Sequence, residues 1–74
     1  MLNNLYKKLE SCLVGYTIKM YNNIIYVYAN NKEVQIYEKD NQLDVYLFEN
    51  NKCIEGELFD NKLIVYYHIK SFLL

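Results

Sequence analysis

Residues 22–69 read NNIIYVYANNKEVQIYEKDNQLDVYLFENNKCIEGELFDNKLIVYYHI. Asn22-Asn23, Asn30-Asn31, Asp40-Asn41, Asn50-Asn51 and Asp60-Asn61 punctuate this stretch, and the last four pairs start ten residues apart. Between them lie runs rich in Ile, Val, Leu, Tyr and Phe. Asn and Asp tolerate the positive φ that two-residue hairpin loops demand. The pattern therefore predicts a β-meander with two-residue turns.

If each pair is a loop, each register follows. Ile18 then faces Val27, Ile25 faces Ile36, Val34 faces Leu47, Val45 faces Gly56, and Ile54 faces Tyr67. Five separately assigned hairpins agree on one apolar face, and a one-residue slip in any of them would turn its apolar set to the wrong side. Six strands are expected, near 16–21, 24–29, 32–39, 42–49, 52–59 and 62–69. Gly56, mid-strand among large residues, marks either a bulge or the place where a helix comes closest.

Upstream, Leu2, Leu5, Leu9 and Cys12 recur at helical spacing and make one apolar stripe. A helix over residues 2–13 is expected, with Gly15 supplying a left-handed residue after its end. So short a helix needs packing to persist, and the apolar sheet face offers it. The expected fold class is α+β: one N-terminal helix on a six-stranded antiparallel meander, flat or curled towards a half-barrel. With 74 residues there is room for one domain, 1–74.

Composition narrows the function. Hydrophobic residues make up 53%, too many for a disordered chain. The apolar runs are too short to span a bilayer, and no signal peptide is visible, so a cytoplasmic location and no membrane partner are expected. Net charge is −1, and all eight cations are Lys. Without Arg there is no bidentate fork for phosphates or guanine edges, which argues against direct nucleic-acid binding. Ten Asn, nine Tyr, eight Lys and no Pro point to an AT-rich genome, as in small phage or mobile-element products.

The same registers sort a second face. It carries Thr17, Tyr28, Glu33, Phe48, Cys53 and His68 in one row. Lys19, Tyr26, Gln35, Tyr46, Glu55 and Tyr66 form the next, and Tyr21, Ile24, Tyr37, Asp44, Glu57 and Ile64 the last. One helix covers one face, so this one is expected to be open. Tyrosines pair well across strands and suit a wet sheet face on structural grounds alone. They are also enriched in binding hot spots, and carboxylates among them favour a basic partner surface. The expected partner-binding residues are Tyr26, Tyr28, Tyr37, Asp44, Tyr46, Phe48, Glu55, Glu57 and Tyr66.

Candidate chemistry is thin. The register sets Cys53 opposite His68, a nucleophile and base with no third group and no cleft, so no catalytic residues are assigned. The pair also supplies too few ligands for zinc, so neither metal nor cofactor is expected. Asp44 is expected to face Glu57, a like-charge pair that a partner's Lys or Arg would relieve. Cys12 and Cys53 have no CxxC spacing and read as free thiols, with a helix-to-strand disulfide as the alternative.

The expected function is a non-enzymatic binding protein: a phage or mobile-element inhibitor of a host defence nuclease, of the anti-CRISPR kind, acting in the host cytoplasm. The alternative is a homo-oligomeric structural or accessory protein, such as a homodimer, whose Tyr face or sparsely charged last strand is its own interface.

Overall fold

Four of the five Asn/Asp pairs turn the chain as their composition dictates. The computed structural model describes residues 2–74. Helix α1 spans Leu2–Cys12, and strands β1 to β5 span Thr17–Tyr21, Ile24–Ala29, Lys32–Lys39, Gln42–Glu49 and Lys52–Phe59. Helix α2, Lys62–Leu73, closes the order. The strands form one antiparallel sheet in the order β1-β2-β3-β4-β5, open, with β1 and β5 as its edges. The loop residues Asn22, Asn23, Asn30, Asp40, Asn41, Asn50 and Asn51 all have positive φ between 51° and 65°. Gly15 takes φ +94° just after α1.

The first three registers are those expected. Ile18 pairs with Val27, Ile25 with Ile36, and Val34 with Leu47. Ile25, Val27, Val34, Ile36, Leu43, Val45 and Leu47 are buried on one face. Leu2, Leu5 and Leu9 of α1 close over them, as do Val65, Tyr66, Ile69 and Leu73 of α2. Each fully buried aliphatic side chain contributes roughly 1.5–3 kcal/mol, so this layer of helices on a sheet carries most of the stability.

Cys12, expected on the apolar stripe of α1, is exposed, and Leu13 is buried in its place; the two larger failures lie after residue 50. The sixth strand, 62–69, is a helix. Asn61 does not turn a hairpin: its φ is −134°, and its side chain accepts hydrogen bonds from the Leu63 and Ile64 amides, which makes it the N-cap of α2. Val65, Ile69 and Leu73, spaced by four, then line one helix face, with Tyr66 beside them. The helix satisfies its own backbone. It also buries these side chains over β4 and β5 instead of adding an edge strand beside β5.

The second failure is the register of β5. A bulge interrupts its pairing with β4. Phe48 pairs with Cys53 but Leu47 pairs with Glu55, so Ile54 is the extra residue. Every later residue of β5 changes face. Leu47, Val45 and Leu43 face Glu55, Glu57 and Phe59 rather than Ile54, Gly56 and Leu58. Gly56 therefore meets Tyr46, not Val45 and not a helix.

Candidate functional site

The face that neither helix covers is built by all five strands, with Cys53, Gly56 and Leu58 of β5 at one side of it. Alternation along each strand sends Tyr21, Tyr26, Tyr28, Tyr37, Tyr46 and Phe48 to it, opposite the buried aliphatic rows. These aromatics are organised. Tyr26 and Tyr28 stack with ring planes 4° apart and centroids at 6.3 Å. Tyr37 and Tyr46 meet edge to face at 5.7 Å, a geometry aromatic quadrupoles favour.

Short-range hydrogen bonds hold the polar groups along each strand. Tyr46 Oη donates to Asp44 Oδ2 at 2.7 Å. Tyr37 Oη donates to Gln35 Oε1 at 3.0 Å, and Gln35 Nε2 donates to Glu33 Oε2 at 2.7 Å. The bond to Asp44, together with desolvation and nearby negative charge, raises the Tyr46 phenol above its ordinary value of 10.0. Desolvation first, then Glu33, raises that of Tyr28. Both phenols stay protonated at neutral pH and remain donors. Gln35, Tyr37, Glu38, Lys39, Asp44, Tyr46 and Phe48 line a shallow concavity of about 450 Å³.

Six of the nine expected partner-binding residues thus share the open face: Tyr26, Tyr28, Tyr37, Asp44, Tyr46 and Phe48. Three do not. Tyr66 is a core residue of α2, 7% exposed, with Lys8 Nζ 4.8 Å from its ring centroid. Burial, followed by the neighbouring Cys12, raises its phenol. Glu55 and Glu57 lie on the helix side of β5, turned there by the bulge at Ile54. The face therefore keeps two carboxylates, Glu33 and Asp44, with two lysines, Lys19 and Lys39, and is less acidic than the expected register made it. Asp44 faces Leu58 instead of Glu57, so the like-charge pair does not form.

The Cys53–His68 pairing also falls. His68 rides on α2 and its Nε2 lies 2.5 Å from Glu55 Oε2. Cys53 donates its thiol to the Glu55 carbonyl oxygen at 3.6 Å. Cys12 and Cys53 are both free and exposed, so the disulfide alternative is not formed.

The sheet edges bear on self-association. Strand β1 is short, with Lys19 at its centre, and β5 carries a bulge, Glu55 and Glu57. These are devices that blunt edge pairing. The sparsely charged segment expected to form an edge is α2. Among the described residues, no helix is long and apolar enough to cross a membrane.

The grouping of Glu55, Glu57 and His68 escaped sequence reasoning. Gly56 between two Glu was the signal within reach, since a mid-strand glycine often accompanies a bulge. No protein-family model matches the chain, and no characterised protein or solved structure shows significant similarity to it.

Proposed function

We propose that the chain is a non-enzymatic binding protein that docks a protein partner on the tyrosine face. The observation that carries this reading is the ordered aromatic surface left bare by both helices. Tyr26, Tyr28, Tyr37, Tyr46 and Phe48 offer contact area at little entropic cost, because stacking and hydrogen bonds already restrain four of the rings. Beside Tyr37 and Tyr46, the Asp44 and Glu38 carboxylates outnumber the single Lys39 ammonium at the concavity. A Lys or Arg side chain seated there gains an ion pair and a ring face together. The partner chemistry is therefore a protruding basic side chain flanked by apolar surface.

Small size and an AT-rich composition favour a phage or mobile-element origin. The partner class we propose is a host defence nuclease, whose nucleic-acid-binding surface is basic. Self-association through the same face is the competing occupant, since both edges are blunted but the face is not.

The test is affinity capture from host lysate with the wild-type chain and with Tyr28→Ala/Tyr37→Ala/Asp44→Asn. These three residues are outside the core, so the variant should stay folded, with its unfolding midpoint lowered by loss of the Tyr26–Tyr28 and Tyr37–Tyr46 ring contacts and the Tyr46–Asp44 bond. A protein retained by the wild type and lost by the variant supports the reading. The same protein retained by both, or a wild type that sediments as a dimer the variant breaks, overturns it.

A further inference from the structure

We propose that Glu55, Glu57 and His68 form a binding site for a divalent transition-metal ion of the zinc class. One carboxylate oxygen from each Glu and one imidazole nitrogen of His68 all lie within 4.8 Å of one another. The donors come from two elements. The bulge at Ile54 brings both carboxylates to the side of β5 that α2 overlies, and the seventh residue of α2 reaches down to meet them. In the uninterrupted register both Glu residues would stand on the opposite face. The Phe59 ring packs against the imidazole with centroids 5.1 Å apart, which fixes its position.

Charge and donor chemistry agree. Two carboxylates two positions apart on one side of a strand repel each other. Among the described residues, His68 is the one basic side chain within 4.0 Å of either carboxylate, and no Lys lies within that reach of Glu55 or Glu57. A dication would relieve that repulsion. A mixed imidazole and carboxylate set suits Zn²⁺ and its first-row neighbours, whereas Ca²⁺ and Mg²⁺ prefer oxygen alone.

Donor atoms around tetrahedral zinc stand roughly 3.3–3.6 Å apart, given bonds of about 2.0–2.2 Å. The ion would enter between His68 Nε2 and Glu55 Oε2, parting that pair, while the exposed Glu57 side chain swings in by rotamer change. Three protein donors leave a position for water or for a group of a docking partner. The bound ion would tie α2 to the free edge of the sheet. This site lies on the helix side, so it does not depend on the tyrosine face.

The test is calorimetric titration of untagged full-length Cys12→Ser/Cys53→Ser with ZnCl₂, CoCl₂ and CaCl₂, because exposed thiols would compete for zinc. The expected result is one zinc per chain, a tetrahedral visible spectrum with cobalt, and no calcium binding. Glu57→Gln and His68→Asn should each weaken zinc by at least about tenfold. Glu57 is exposed, so its variant does not threaten the fold. In the wild-type chain His68 is the sole histidine, and its ring resonances should shift with zinc. No zinc binding, unchanged affinity in Glu57→Gln, unshifted histidine resonances, or calcium binding as tight as zinc would each overturn the proposal.

Discussion

Tyr46 lies across Gly56: a Cβ at Gly56 would stand 2.9 Å from Tyr46 Cε1 and 3.0 Å from Cδ1. The ring is not free to retreat, since its hydroxyl is bonded to Asp44 and its edge meets Tyr37. Gly56 has no positive φ, so what it supplies is space. Gly56→Ala should cost about 1–3 kcal/mol, as overpacking does. In a Tyr46→Ala background the penalty should vanish, because the obstructing atoms are gone. Urea midpoints of the four chains give the coupling directly.

The same tyrosine makes stability fall at alkaline pH. Its phenol is raised above 10.0 in the folded chain, first by the hydrogen bond to Asp44. In the unfolded chain it releases its proton near the ordinary value, so above about pH 10 the unfolded state binds fewer protons than the folded one. Stability from this group is therefore full below pH 10 and lost as pH rises through the folded value. Asp44→Asn should lower the folded value and flatten the loss. Absorbance titration of phenolate, with unfolding measured from pH 8 to 11, checks both.

Turn chemistry predicts a third outcome. Asp40 and Asn41 hold φ values of 51° and 64°, which cost a non-glycine, non-Asx residue about 1–2 kcal/mol. Asn41→Ala should destabilise by about 1 kcal/mol, and Asn41→Gly should be neutral or mildly stabilising. A urea series that found alanine harmless would mean the loop relaxes out of the left-handed region.

The four hairpins were legible because two signals coincided. Asx pairs set the turns, and Val27, Val34, Ile36, Val45 and Leu47 all landed on one face in the implied register. Beyond Asn50 the signals part company. Asp60-Asn61 has the composition of a hairpin loop, yet Asn is equally a helix N-cap. The run after it, Lys62 to Ile69, has β-branched and aromatic residues that suit a strand. Its helical character shows only when the stripe Val65, Ile69, Leu73 is followed to the end of the chain. Short apolar runs do not separate strand from buried helix by periodicity.

The bulge at Ile54 was hidden for a different reason. The uninterrupted register of β5 would place Ile54 and Leu58 on the core side, whereas the bulged one places only Phe59 there, with Glu55 and Glu57, so apolar alternation points to the register that does not form. The choice rests on three-dimensional fit, Gly56 under Tyr46 and Phe59 against His68. That is why Tyr26, Tyr28, Tyr37, Asp44, Tyr46 and Phe48 were correctly grouped from sequence, while Glu55, Glu57 and Tyr66 were not.

Asn61 offers the sharpest test of helix against hairpin at the C-terminal end. Its Oδ1 accepts from the Leu63 amide at 2.8 Å and from the Ile64 amide at 3.3 Å, two donors that no residue within the helix can satisfy. Asn61→Ala should cost about 1 kcal/mol. Asn61→Asp should be neutral or slightly stabilising, because a carboxylate there meets the positive end of the helix dipole. The decisive variant is Asn61→Gly. At an N-cap with φ −134°, glycine should cost a few tenths of a kcal/mol, whereas in a left-handed hairpin loop glycine would be the preferred residue and would stabilise. Urea unfolding that ranks Asp and Asn above Gly and Gly above Ala follows from the cap. A ranking with Gly first would return residues 62–69 to the sheet.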